Sequence, residues 1–173
     1  MKRWRPSLFL ETFHNLTRRG CELKAELYDP EKQVTAFEEV VRLMRCSPSS
    51  EVSGGDHLYL RGAHYVVSPH SETKHLRAFR LISLPDQLVW TRSAVAVQDP
   101  VTGLYRQDSS PPTVSSIWVR EITKGFTRDL PGMEFERRVR RFVLSEALSA
   151  GDLLQGTIIK RVWVEQGVTL AET

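Results

Sequence analysis

The sequence predicts a mainly β fold, either a small β-barrel or a sandwich of hairpins, with long loops or arms and room for one short helix. Two observations lead to this class: short stretches that alternate apolar and polar residues, and turns with glycine or proline between them. A third is the length of 173 residues, which usually forms one domain that buries a core of its own.

The clearest hairpin signal is the stretch DHLYLRGAHYVV at residues 56–67. Leu58 and Leu60 share one face of a first strand, Gly62 marks the turn, and Tyr65 and Val67 share one face of a second strand. The segment is therefore predicted to be two paired strands with a short loop.

Three later segments also have the composition of strands. The first alternates Phe79, Leu81 and Ser83 with Ala78, Arg80 and Ile82, and the second is rich in β-branched and aromatic residues between the turn pairs Pro85-Asp86 and Asp99-Pro100. These predicted strands are AFRLISL (78–84), LVWTRSAVAVQ (88–98) and SIWVREI (116–122).

Two segments fit both a helix and a strand. Residues 31–45 carry apolar residues at helical spacing after Asp29 and Pro30, but part of the segment also alternates. Residues 134–148 offer a helical stripe, yet their arginine pairs flank apolar positions as in an edge strand. We favour a helix for the first segment and a strand for the second.

The carboxy-terminal residues repeat the central hairpin pattern. Gly151-Asp152 precedes an apolar pair, Gly156 makes a turn, and a β-branched run and a last strand at 168–171 follow. Both stretches place Gly-Asp before apolar residues, then a glycine, then a strand. Two copies indicate a repeated hairpin, whereas a solenoid needs at least three repeats.

These patterns divide the chain into four parts. The boundary loop, RQDSSPPTVSS, contains a Pro-Pro pair that does not fit a central strand or a helix. The predicted parts are an amino-terminal arm (1–32), a β-barrel core (33–105), a polar loop or arm (106–116) and a carboxy-terminal β segment that packs on the core (117–173).

The composition is that of a globular protein. The chain is 40% hydrophobic and 26% charged, which argues against a wholly disordered chain or a coiled coil. The net charge of +3 is compatible with a polyanionic partner without requiring one. Cys21 and Cys46 are too few for a disulfide framework, and we expect two reduced thiols. Since neither a signal peptide nor a membrane-spanning run is apparent, we expect a soluble protein with no membrane partner.

Histidines are concentrated in one region and are the first candidates for chemistry. His57 and His64 lie on opposite arms of the predicted hairpin, point outward, and are able to meet across the pair. His70 and His75 follow Pro69 in a polar stretch with the composition of an exposed loop. Because a metal site needs a third ligand, we interpret these histidines as surface or rim residues.

No catalytic motif is present in the sequence. The nucleophile elbow, the phosphate-binding loop and the dinucleotide-binding glycine pattern are all missing. The aspartates at turns have a structural explanation, since Asp binds local backbone amides there. We therefore expect no catalytic residue, no metal, no cofactor and no enzymatic activity.

Basic runs are the second candidate for function. KRWR at residues 2–5 and RRVRR at residues 137–141 have the chemistry to bind phosphates, and Trp4 is able to stack on a base. Neighbouring glutamates favour instead a solvated or interface surface. A nucleic-acid-binding β-barrel is thus the alternative function, with polyanion contacts at Arg137, Arg138, Arg140 and Arg141.

The central pattern also resembles a known family. Gly-Asp-x-Leu-x-Leu-x-Gly-x-x-Tyr-x-Val at residues 55–67, followed by Trp90-x-Arg92 and DPVTG, is similar to the head-to-tail joining (neck, or head-closure) proteins of tailed bacteriophages. The likeness covers residues 50–106, about a third of the chain. It implies a small β-barrel with long loops that assembles as a ring of identical subunits between portal and tail.

The resemblance also implies partners and a location. The partners are further copies of the chain, portal or adaptor proteins and tail proteins, with incidental contact to DNA. The location is the virion, assembled in the cytoplasm of a bacterial host. Flexible arms that order on assembly suit this role, and the expected interface residues are Trp4, Leu8, Phe9, Phe13, Pro111 and Pro112.

Overall fold

A computed structural model describes residues 10–28, 42–92, 96–98, 105–107, 112–122 and 140–173. All regular structure in these ranges is β, and none of the described residues is helical. The predicted mainly β class, with a barrel, is confirmed. Nor do the described ranges hold a helix with the length and hydropathy needed to cross a bilayer.

The first half of the described chain is a closed antiparallel barrel. Its strand order is β1-β2-β3-β6-β5-β4, and its core contains Phe13, Met44 and Leu58, which are fully buried. The strands are β1 (Leu10–Asn15), β2 (Cys21–Tyr28), β3 (Arg42–Cys46), β4 (His57–Leu60), β5 (Ala63–Thr73) and β6 (Leu76–Ser83).

The second half forms a seven-stranded sheet and a separate two-stranded hairpin. The sheet order is β13-β12-β7-β10-β11-β15-β14, and among the described strands β8 pairs with β9 alone. The strands are β7 (Asp86–Arg92), β8 (Ala96–Gln98), β9 (Tyr105–Gln107), β10 (Thr113–Ile122), β11 (Arg141–Leu144), β12 (Leu153–Leu154), β13 (Thr157–Ile158), β14 (Arg161–Glu165) and β15 (Val168–Glu172).

The second sheet repeats the topology of the barrel. In the barrel β4 pairs with β1, then β2, β3, β6 and β5 follow; in the second sheet β12 pairs with β7, then β10, β11, β15 and β14 follow. Strands β13 and β14 together take the place of β5, because β13 pairs with β12 and β14 pairs with β15. The echo between the two halves of the sequence is therefore a repeated structural unit.

The same loop introduces the hairpin in both units. Asp56 Oδ2 accepts a hydrogen bond of 3.0 Å from the backbone N–H of Ser53, and Asp152 Oδ2 accepts one of the same length from the backbone N–H of Ser149. Gly55 and Gly151 adopt left-handed backbone angles, with φ of 86° and 94°. These contacts confirm that both aspartates bind a local backbone amide, and they make Ser-x-Gly-Asp the signature of the repeat.

The two units pack against each other through a shared apolar cluster. The barrel contributes Val66, Ile82 and Leu84, and the second sheet contributes Val143 and Leu170, all of them buried. At the edge of this contact the Ser68 hydroxyl donates to the Gln166 carbonyl at 2.9 Å. The barrel and the second sheet are therefore held together by apolar burial and by a specific polar contact.

Gly167 lies where the two units approach most closely. Its φ is 76°, and a Cβ there would lie 2.9 Å from Pro69 Cδ and 3.3 Å from Gly54 Cα. We expect Gly167→Ala to lower the free energy of unfolding by about 2 to 3 kcal/mol, from backbone strain and a clash. Urea unfolding measures the loss.

Gly62→Ala is the matched control for this variant. Gly62 has a similar φ of 83°, but nothing lies within 4 Å of its added Cβ. It should cost only the backbone strain, about 1 kcal/mol. Equal losses for both variants would show that close packing at Gly167 adds nothing to stability.

Several sequence predictions require correction. Residues 10–28, assigned to an amino-terminal arm, form β1 and β2, because Phe13 and Leu23 complete the barrel core. The helix prediction for residues 31–45 is wrong for 42–45, which lie in β3, while 31–41 lie outside the described residues. Residues 113–116 of the predicted polar loop begin β10. The barrel ends at Ser83, so β7 belongs to the second unit.

Other predictions agree with the structure. The turn at Gly62 joins β4 to β5, and the strand predicted at 116–122 lies within β10. For the ambiguous segment 134–148, residues 141–144 form strand β11, as favoured; residues 134–139 lie outside the described residues.

Candidate functional site

The two hairpin histidines meet at the contact between the barrel and the second sheet. His57 Nε2 and His64 Nδ1 are 2.9 Å apart, which is hydrogen-bonding distance. The His64 ring stacks on Trp118 of β10, with centroids 3.8 Å apart and planes at 11°. The pairing of His57 and His64 across the hairpin is thus confirmed.

His57 is more deeply buried than the sequence suggested. The second sheet covers the outer surface of β4 and β5, so only 7% of His57 remains exposed. Burial, with a smaller effect from the charge of His64, lowers the pKa of His57 to about 4. Burial also lowers the pKa of His64. The pair is therefore neutral at pH 7, with one ring donating and the other accepting.

Within the described ranges, the surroundings of the histidine pair differ from those of a metal-binding site. No group of three His, Cys, Asp or Glu side chains in the described ranges is arranged to hold a metal ion. His70 lies within β5 and not in a loop, because β5 extends to Thr73, although its side chain is exposed as predicted. His75 is in the following turn and exposed. The geometry of His57 and His64 supports a structural contact between the two units.

The outer surface of the second sheet carries a row of uncharged residues. Ile158, Leu153, Thr91 and Val114 are direct cross-strand partners on β13, β12, β7 and β10. Their neighbours Leu154 and Trp90 point into the core, so these four point outward. Ile158 is 58% exposed and Val114 is 62% exposed. We call these four residues the outer row.

A two-stranded hairpin begins beside the outer row. β7 ends at Arg92 and β10 begins at Thr113, which is its cross-strand partner; the chain between them contains β8 and β9. These two strands form a sheet of their own. A hairpin of two strands is marginally stable in water by itself and gains stability when it packs against another element.

The expected interface residues have different positions in the structure. Phe13 is fully buried in the barrel core, which corrects its assignment to an exposed arm. Pro112 is exposed immediately before β10, at the base of the hairpin. Trp4, Leu8, Phe9 and Pro111 lie outside the described residues.

Two of the four arginines predicted to contact a polyanion are engaged in ion pairs. Arg140 binds Glu121 through two hydrogen bonds of 2.8 and 2.7 Å, and this contact lowers the pKa of Glu121. Arg141 Nε lies 3.1 Å from Glu172 Oε2. Arg137 and Arg138 lie outside the described residues. The charge of the two described arginines is locally balanced, which weakens the argument for nucleic-acid binding.

The two cysteines are free thiols, and the Cys46 Sγ donates to the Arg77 carbonyl at 3.8 Å. Cys46 is buried in the barrel core, and burial raises the pKa of its thiol. Cys21 is an exposed thiol on β2, beside a shallow groove lined by Leu10, Glu22 and Ser50. A raised thiol pKa disfavours the thiolate, so Cys46 does not have the environment of a nucleophile.

Comparisons with protein family models, with curated proteins and with solved structures found no match to this chain.

Sequence reasoning missed the outer row. Val114 stands in a stretch assigned to a polar loop, and Ile158 in a run whose two faces look equally apolar. Only the register across four strands brings them together. The available signal was the second Gly-Asp repeat, which sets the register of β12 and β13.

Proposed function

We propose that this chain is a non-enzymatic structural protein of a tailed phage, which forms a ring in the neck and joins the portal to the tail. The observation that carries the proposal is the β8–β9 hairpin, a two-stranded sheet inserted in the chain between β7 and β10 of the second unit. Such a hairpin needs a neighbouring surface to become stable, and a ring of identical subunits supplies one.

Two further features support an assembly role. The outer row gives the second sheet an exposed, uncharged surface next to that hairpin. The two packed units share a buried apolar cluster, which provides a rigid body for the hairpin to extend from. The type of assembly is inferred from the resemblance of residues 50–106 to head-to-tail joining proteins. We propose with it that the chain associates with further copies of itself, contacts portal and tail proteins, and is located in the virion.

A nonsense mutation in the encoding gene tests this function. We expect a non-permissive host to yield DNA-filled heads and free tails that are not joined, visible by negative-stain electron microscopy. Supplying the chain from a plasmid should restore joined particles, which controls for effects on neighbouring genes. Joined, infectious particles formed without the chain would refute the proposal.

A nucleic-acid-binding function predicts a different result. The purified chain would bind DNA with an affinity that falls steeply with salt, because phosphate contacts release counterions. It would lose that binding when Arg140 and Arg141 are replaced by glutamine. The ion pairs of these arginines with Glu121 and Glu172 lead us to expect no such dependence.

A further inference from the structure

We propose that the outer row is the contact surface for a second copy of this chain. The proposal rests on the proposed ring function and specifies the surface that the ring uses. Three features of the structure support it: the register of the second sheet, the different residues at the equivalent positions of the barrel, and the packing of the barrel on the second sheet.

Two of the four outer-row residues are strongly exposed, Leu153 and Thr91 are half-buried, and none of the four is charged. Val114 and Ile158 are 62% and 58% exposed, and Val89, on the same surface one row away, is 50% exposed. A contiguous apolar patch on a sheet surface, as opposed to scattered single residues, is characteristic of an interaction site. None of the four residues in the row is ionisable, so contact with these four side chains desolvates no charge.

The barrel presents the same row with different chemistry. Its cross-strand partners at the equivalent positions are His64, Tyr59, His14 and Glu22, which we call the barrel row. The equivalence follows from the hairpin turns. Tyr59 and His64 are paired across the Arg61-Gly62 turn. Leu153 and Ile158 are paired in the same way across the Gln155-Gly156 turn. One topology therefore supports a polar row in one unit and an apolar row in the other, so the fold alone does not require exposed Val114 and Ile158.

Contact with a second copy is indicated by continuity with the internal interface. Trp118 lies on the same surface of β10 as Val114, four residues further along, and it packs in the cluster formed with the barrel. Part of the outer surface of this sheet is thus already covered by a β unit of the same chain. The outer row lies on the same surface, next to the part that the barrel covers. A β unit from another copy would pack on the outer row as the barrel packs around Trp118.

The test compares two equally exposed valines in analytical ultracentrifugation of the full chain. Val114→Asp places a charge in the outer row, whereas Val164→Asp places one on β14, where Val164 is 68% exposed and outside the row. We expect the wild type and Val164→Asp to associate across the micromolar range, and Val114→Asp to weaken the association constant by at least about tenfold. Circular dichroism and urea unfolding establish that both variants fold.

Three results would overturn the inference. One is a wild type that stays monomeric at every concentration. Another is an equal loss of association in both variants. The third is a photo-crosslinker at position 114 that reacts only within its own chain, which would mean that another segment of the same chain covers the row. Failure of the proposed neck function is distinguishable from failure of this inference. If heads and tails joined without the chain while the purified chain still associated through Val114, only the neck function would be refuted.

Discussion

Replacing Asp56 with alanine is expected to lower the free energy of unfolding by about 3 kcal/mol, since a buried acceptor of three hydrogen bonds is removed. Asp56 is 5% exposed, and its Oδ2 accepts from Asn15 Nδ2 at 2.8 Å, Arg18 Nε at 2.9 Å and the Ser53 N–H at 3.0 Å. Asn15 is itself buried, so in the variant its Nδ2 keeps only the longer hydrogen bond of 3.4 Å to the Glu51 carbonyl.

The second unit provides a parallel experiment. Asp152 Oδ2 accepts from Trp90 Nε1 at 3.0 Å and from the Ser149 N–H at 3.0 Å, with Arg92 at 3.4 Å. Asp152→Ala should therefore also be strongly destabilising, by about 2 to 3 kcal/mol. Asp86→Ala, at the exposed first residue of β7, is the control and should change stability little.

Urea unfolding followed by tryptophan fluorescence measures these differences. If Asp56→Ala and Asp86→Ala had the same midpoint and slope, the Ser-x-Gly-Asp loop would not be the stabilising element that we infer. A loss in the Asp152 variant alone would mean that the two loops are not equivalent in energy.

Acidification is expected to destabilise the protein between pH 6.5 and pH 4 through His57. The pKa of His57 is about 4 in the folded chain and 6.5 when unperturbed. Above pH 6.5 the residue is neutral in both states, so the folded state keeps its full stability. As the pH falls below 6.5 the unfolded chain takes up the proton first, and about 3 kcal/mol is lost by pH 4.

The variant His57→Gln isolates this contribution. It removes the titrating group, so the stability difference between wild type and variant should shrink as the pH falls from 7 to 4. His75→Gln, in an exposed turn, is the control and should follow the wild type at each pH. A difference between wild type and His57→Gln that does not vary with pH would contradict a neutral, buried His57.

The hairpins were predictable from the sequence because their signals are local. Gly62 after Leu60 specifies the turn between β4 and β5, and Gly-Asp marks the start of each repeat. The helix expected at residues 31–45 is incorrect at 42–45, because a short apolar run fits both periods and the barrel requires a strand beside β6.

The candidate site depends on long-range register and was largely beyond sequence reasoning. The sequence showed that His57 and His64 are able to meet across the hairpin, and they do. The stacking of His64 on Trp118 joins residues more than fifty positions apart. Phe13 was expected at an interface because no periodic partner was evident, but its partners are Leu23 and Leu58, on strands that local patterns do not relate to it. The outer row likewise spans four strands.

Peptide mass spectrometry of density-banded phage particles from the source lysate tests the proposed structural role in a virion neck. The amount of this chain is measured relative to the major capsid protein. We expect a small fixed copy number, on the order of one or two symmetric rings per particle. Absence of the chain from purified particles would contradict it.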